Sequence, residues 1–165
     1  MTNRKKCCCI ILSALLSGSL GCQIRTASEP AKPIIVLGTD GLEWDVVLPL
    51  IEADQMPNLA ALMERGTYGH LRSLRPTSSP IIWTTVATGK VREKHGILDF
   101  SHRTAAGERA LYNSRDRTTK ALWNIVGDYN KRVAAIGWWM TYPVEPVRGV
   151  MVAQTNTLTQ LNTRG

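Results

Sequence analysis

Four consecutive apolar residues, Ile34-Ile35-Val36-Leu37, run directly into Gly38, Thr39, Asp40 and Gly41. An unbroken apolar run this short, closed by glycines, predicts a strand buried on both faces, the kind that parallel sheets use. It places Asp40 at the carboxyl end of that strand. The rest of the chain then alternates between helical and strand-like patterns. Glu43 to Ile51 predicts a helix that Pro49 bends or ends early. Pro57 opens a second helix, with Leu59, Leu62 and Met63 on one face and Gly66 as its stop. Thr67 to Ser73 alternates weakly, in the manner of a strand.

Pro80 stands at the first turn of a helix that runs to Ala87, and Val91 to Phe100 reads as loop. Thr118 or Thr119 is placed to cap a helix containing Ala121, Leu122, Ile125 and Val126. Val133 to Trp138 and Gly149 to Ala153 predict two more strands, separated by Pro143 and Pro146. This order argues for an α/β fold with a mostly parallel central sheet flanked by helices. Leu161 to Gly165 shows no pattern that would close such a sheet. The expectation is therefore an incomplete fold, the amino-terminal part of a larger one, over residues 34–165.

The first 22 residues predict a signal peptide. Arg4-Lys5-Lys6 is a positive start, and Cys7 to Leu16 is an apolar stretch too short to span a membrane comfortably. Cleavage before Cys22 of Leu20-Gly21-Cys22 would leave a cysteine for lipid attachment, so the expected product is exported to the cell envelope or periplasm and anchored as a lipoprotein. Ordinary signal cleavage is the alternative. Residues 23–33, with two prolines and several polar side chains, read as a linker. All four cysteines (Cys7, Cys8, Cys9 and Cys22) precede the globular part, so neither a disulfide framework nor a cysteine zinc site is available there. Beyond the first ten residues 17 basic side chains face 13 acidic ones. That mild excess, with no basic run interleaved with aromatics, argues against nucleic-acid binding.

Two residues stand out chemically. Asp40, between glycines at the predicted end of a strand, presents a carboxylate in the manner of a metal ligand. A turn or capping aspartate is the commoner reading of the residues alone. Ser79 lies just before the helix predicted from Pro80, where unpaired backbone N–H groups and the helix dipole favour an anion. There a hydroxyl is well aimed at a phosphate or sulfate, and metal coordination would activate it. Its bland alternative is an N-cap, filled by Ser79 or Ser78.

The segments Val36-Leu37-Gly38-Thr39-Asp40-Gly41, Pro57-Asn58-Leu59, Pro76 to Gly89, Lys94-His95-Gly96-Ile97 and Trp138 to Pro143 occur in an order that resembles the type I phosphodiesterase/nucleotide pyrophosphatase family. That family belongs to the alkaline phosphatase superfamily, and the likeness runs from about residue 34 to about residue 153. The resemblance implies an alkaline phosphatase-like fold and metal-dependent hydrolysis of a small phosphoester with two zinc ions. It makes Asp40 a ligand of one zinc. Ser79, fourth in the stretch that starts at Pro76, becomes the metal-activated nucleophile, sharing the ion and forming a covalent phospho-enzyme.

The chain departs from the family pattern in two ways. Nucleotide pyrophosphatases carry an Asn five residues after the histidine of their His-Gly motif, and here that position is Phe100. Nucleotide specificity is therefore not implied, and a sulfate or phosphonate ester is an open alternative. The family's later Asp and His ligands have no counterpart among His70, His95 and His102. An inactive fragment, or a non-enzymatic exported lipoprotein, is thus the alternative to an enzyme. Asp99 and His102 would share a face only if their segment were helical. His95 is expected to fix a loop by hydrogen bonding, and His70 to be structural. Lys90 and Arg92 would steer an anion or simply be solvated. The tryptophans Trp44, Trp83, Trp123, Trp138 and Trp139 are expected to pack between layers.

Overall fold

A computed structural model describes residues 32–154. The signal peptide, most of the linker, the cysteines including Cys22, and the terminal segment from 155 onward lie outside the described residues. The chain divides after Gly38 into two units. In the first, residues 32–38 adopt no regular element, and Ile34 and Leu37 are 92% and 90% exposed. The buried strand expected at Ile34–Leu37 does not form. Apolar sequence alone cannot make a strand, because each backbone N–H and C=O needs a ladder partner.

The second unit begins with Asp40 and Gly41 in a turn, Gly41 at φ 72°. Helix α1 spans Trp44–Glu52 and α2 spans Pro57–Arg65; the two pack together. Pro49 neither ends nor shortens α1, contrary to expectation. A proline removes a single N–H, and beyond it Ala53 N–H still bonds the Pro49 carbonyl at 3.0 Å. Residues 67–78 hold no strand, so the weak alternation of Thr67 to Ser73 is not realised. His70 lies in this loop and sets its ring edge-on to Trp44, with 5.9 Å between centroids.

Helix α3 spans Ser79–Thr88. Pro80, Ile81, Thr84, Ala87 and Thr88 are buried, at the spacing of one helical face. Burying Ile81 alone contributes roughly 1.5–3 kcal/mol. Gly89 stops the helix at φ 64°, its N–H on the Thr85 carbonyl at 2.8 Å. A single helical turn, α4 (Arg92–His95), follows where loop was expected. Strands β1 (Ser101–Arg103) and β2 (Arg109–Leu111) then form an antiparallel hairpin that the sequence did not announce. His102 is therefore on a strand, and it shares no helix face with Asp99.

Helix α5 spans Leu122–Asp128, with Ala121 at the N-cap. Neither Thr118 nor Thr119 caps it. Asn124 reaches back instead, its Oδ1 accepting from Ala121 N–H at 2.8 Å, while Thr118 Oγ1 donates to the Lys94 carbonyl. Strands β3 (Val133–Ile136) and β4 (Gly149–Val152) pair in parallel, Val133 opposite Gly149. Only glycine fits there. A Cβ on Gly149 would lie 1.8 Å from the Val133 carbonyl oxygen.

The fold is thus α/β, but the described strands make two separate two-stranded sheets rather than one central sheet. Ile136, Val150 and Val152 of the parallel pair remain exposed. The core gathers Ala87, Ala121, Trp123 and Ala135, with Trp138, Val147 and Met151 packed against it. Trp83, Trp123 and Trp138 pack edge to face, and Trp138 Nε1 donates to the Trp83 carbonyl at 3.0 Å, as layer-packing tryptophans should. No helix among the described residues is long and apolar enough to cross a membrane.

Candidate active site

Asp40 and Ser79 come together. The turn closed by Gly41 presents the Asp40 carboxylate, and Ser79 Oγ donates to Asp40 Oδ2 at 2.9 Å across 39 residues of sequence. Asp40 does not stand at the end of a strand, as expected, but in the turn that leads to α1. Ser79 is the first residue of α3, and neither serine caps it. Ser78 occupies the N-cap position, yet its hydroxyl makes no capping bond and is buried without a partner. The Ser79 hydroxyl is committed to Asp40 instead, a long-range contact that helix stability by itself does not require.

The start of α3 adds a second feature. Ser79 and Ile81 carry N–H groups with no intrahelical acceptor, and Pro80 between them has none to leave unpaired. Both groups and the dipole favour an anion at the point where the Ser79 hydroxyl sits. The pair also offers two oxygen donors to a cation. Asp40 and Ser79 fit one side of a coordination sphere but do not complete it: among the described residues no group of three or more His, Cys, Asp or Glu is placed to hold a metal. Asp99 and His102 do not add to it. Asp99 Oδ1 accepts from Phe100 N–H, and the His102 ring lies against Tyr112.

His95 braces this helix from behind. It is fully buried, its Nδ1 accepts from Ile97 N–H at 3.1 Å, and Nε2 lies 3.1 Å from Thr85 Oγ1. The Ile97 bond requires an unprotonated Nδ1, so Nε2 carries the proton toward Thr85. The loop-fixing role expected of His95 is the one observed. Burial pushes its pKa down from the ordinary value, against the opposing pull of Glu93 and nearby carbonyls. The neutral form is therefore favoured by folding. Stability from this group is full above the unfolded pKa of about 6.5 and falls as pH drops through that value toward the lower folded one. Thermal melts from pH 8 to 5 should show this loss. His95→Asn keeps an acceptor for Ile97 and does not titrate, so it should flatten the pH dependence; an unchanged slope would exclude His95 as its source.

Residues 34–161 match the profile of the family described as type I phosphodiesterase / nucleotide pyrophosphatase. The chain belongs to this family. No curated protein and no solved structure matches it. Membership places the chain in a group of phosphodiesterase- and pyrophosphatase-type hydrolases that act on small phosphoesters and are generally metal-dependent. The match spans both Asp40 and Ser79.

Sequence reasoning missed a heavily bonded polar cluster among the described residues, centred on Glu145, Arg117 and Asn124. Glu145 takes Arg117 Nη2 and Trp123 Nε1 on one carboxylate oxygen and Asn124 Nδ2 on the other. The Arg117 guanidinium also lies over the Trp123 ring, 5.4 Å from its centroid. Burial pushes the Arg117 pKa down, and the charge of Glu145 opposes that shift. No short-range pattern links positions 28 residues apart, so no local sequence signal could have paired them.

Proposed function

We propose that the chain hydrolyses a phosphate ester with Ser79 as nucleophile and Asp40 as a ligand of the first of two zinc ions. The observation that carries this reading is the 2.9 Å hydrogen bond from Ser79 Oγ to Asp40 at the start of α3. The ester's phosphoryl oxygens take the free N–H groups of Ser79 and Ile81. Asp40 holds the hydroxyl in orientation. Ser79 Oγ gives up its proton on the side of Asp40, toward solvent, and forms a bond to phosphorus while the bond from phosphorus to the ester oxygen breaks; the departing oxygen takes a proton from water. Water then breaks the bond between Ser79 Oγ and phosphorus, releasing phosphate from a monoester or a phosphate monoester from a diester and restoring the hydroxyl. A divalent cation, when bound, lowers the hydroxyl pKa and offsets charge on the departing oxygen. The same reading assigns the chain an alkaline phosphatase-like arrangement of its elements.

The two-donor set favours a second reading as well: a chain that keeps this part of the site and turns over nothing by itself. Zinc titration by calorimetry separates the two. With Asp40 and Ser79 as its donors the chain should take up one zinc ion weakly, and Asp40→Asn should abolish even that. Tight uptake of two ions per chain would show a complete site and remove the second reading. Weak uptake without turnover of any ester in excess zinc would establish it.

A further inference from the structure

The structure assigns a second anion site, distinct from Asp40 and Ser79, to the open cleft beside Glu145. The cleft has a volume of about 570 Å³ and lies between α5, the loop before it and the segment leading into β4. Four cationic side chains line it: Arg115, Arg117, Lys120 and Arg148. Only two acids face them, and both are already engaged. Glu145 is bonded by Arg117, Trp123 and Asn124, and Asp128 pairs with Lys120 at 2.6 Å. Arg115 and Arg148 are thus left over. Among the described residues neither guanidinium has a carboxylate within ion-pair distance or donates a hydrogen bond to protein.

Two exposed, uncommitted guanidiniums on a cleft whose acids are neutralised make a positive potential with no internal counter-charge. Each offers a planar fork of donors suited to an oxyanion. Gly127 lies beside Arg148 on this cleft: a Cβ added there would sit 3.9 Å from Arg148 Cβ, in ordinary contact. The cleft takes a small oxyanion, a phosphate, sulfate or carboxylate group, between Arg115 and Arg148. This site stands apart from the proposed hydrolysis and does not need Ser79 to react.

Inorganic phosphate and sulfate are the probes. Each is titrated into the full-length chain by calorimetry at low ionic strength, with zinc excluded. The expected result is saturable binding that weakens with added salt and survives in the Asp40→Asn/Ser79→Ala variant. Arg115→Ala/Arg148→Ala should weaken it by about tenfold or more, the loss of one or two charge-assisted contacts. Both arginines are exposed, and unchanged near-ultraviolet tryptophan signals would show that the variant keeps its fold. Gly127→Gln, which places a neutral side chain at the cleft wall, should also weaken binding. Absence of saturable binding overturns the site. So does binding that is as tight in the double arginine variant as in the wild-type chain, or that disappears with Asp40 and Ser79.

Discussion

Ser79→Ala should reduce turnover of a phosphodiester by at least about a thousandfold, because removing a covalent nucleophile eliminates the reaction path and not merely one contact along it. The substitution deletes one oxygen at the first residue of α3, and it leaves Pro80 and the buried face of that helix in place. It removes no capping bond, since Ser79 makes none. The one bond it does remove, to Asp40, is exposed, so stability should fall by no more than about 1 kcal/mol, and a thousandfold lost rate could not be ascribed to unfolding. The assay uses the full-length chain with excess zinc, against a phosphodiester, a phosphomonoester and a sulfate ester. Whichever ester is turned over, the loss should apply to it. Mass spectrometry after rapid quenching should find the transferred group of the ester that is turned over, with its remaining substituent, on Ser79 in the wild-type chain. Turnover that survives Ser79→Ala would remove Ser79 from the chemistry, whatever the fate of the second anion site.

The largest expected loss of stability lies elsewhere, at Glu145. Glu145→Ala should cost about 3 kcal/mol, because it strands the Arg117 charge in a poorly solvated place. The Arg117 side chain is only 5% exposed, whereas Glu145 is 24% exposed, so the cation suffers more from losing its partner. Trp123 Nε1 and Asn124 Nδ2 lose their acceptor in the same step. Glu145→Gln keeps an acceptor oxygen and should cost less. Arg117→Met/Glu145→Leu removes both charges and should recover most of the loss, since replacing a buried pair with apolar groups is often neutral. Urea unfolding midpoints for the three variants test this order. An equal loss in all three would mean that packing around Trp123, not the buried charge, sets the effect.

Several elements were legible in advance because their signals are local. Pro57 and Pro80 lie in the first turns of α2 and α3, and α2 stops at Gly66. Val133–Ile136 and Gly149–Val152 are strands close to where their apolar runs place them. Other signals were local but outweighed. Thr118 had the chemistry of a cap, but its hydroxyl went to Lys94 and Asn124 satisfied the helix start. The hairpin of β1 and β2 was not legible, since Ser101–Arg103 and Arg109–Leu111 carry no apolar alternation to mark them. At the candidate site, both residues were identified by type and position. Their contact was not derivable from spacing, since 39 residues of intervening chain set no distance.

The amino-acid order by itself determined the α/β character, the family, and the choice of Asp40 and Ser79, because turn chemistry, helix starts and motif order all act over a few neighbouring residues. Tertiary structure decided the rest. It left Ile34–Leu37 exposed and outside any ladder, turned Ser79 from a cap into a donor to Asp40, and placed Arg117 against Glu145. Each of these depends on which distant groups meet, and backbone pairing, burial and charge neutralisation are satisfied only when the whole chain is packed.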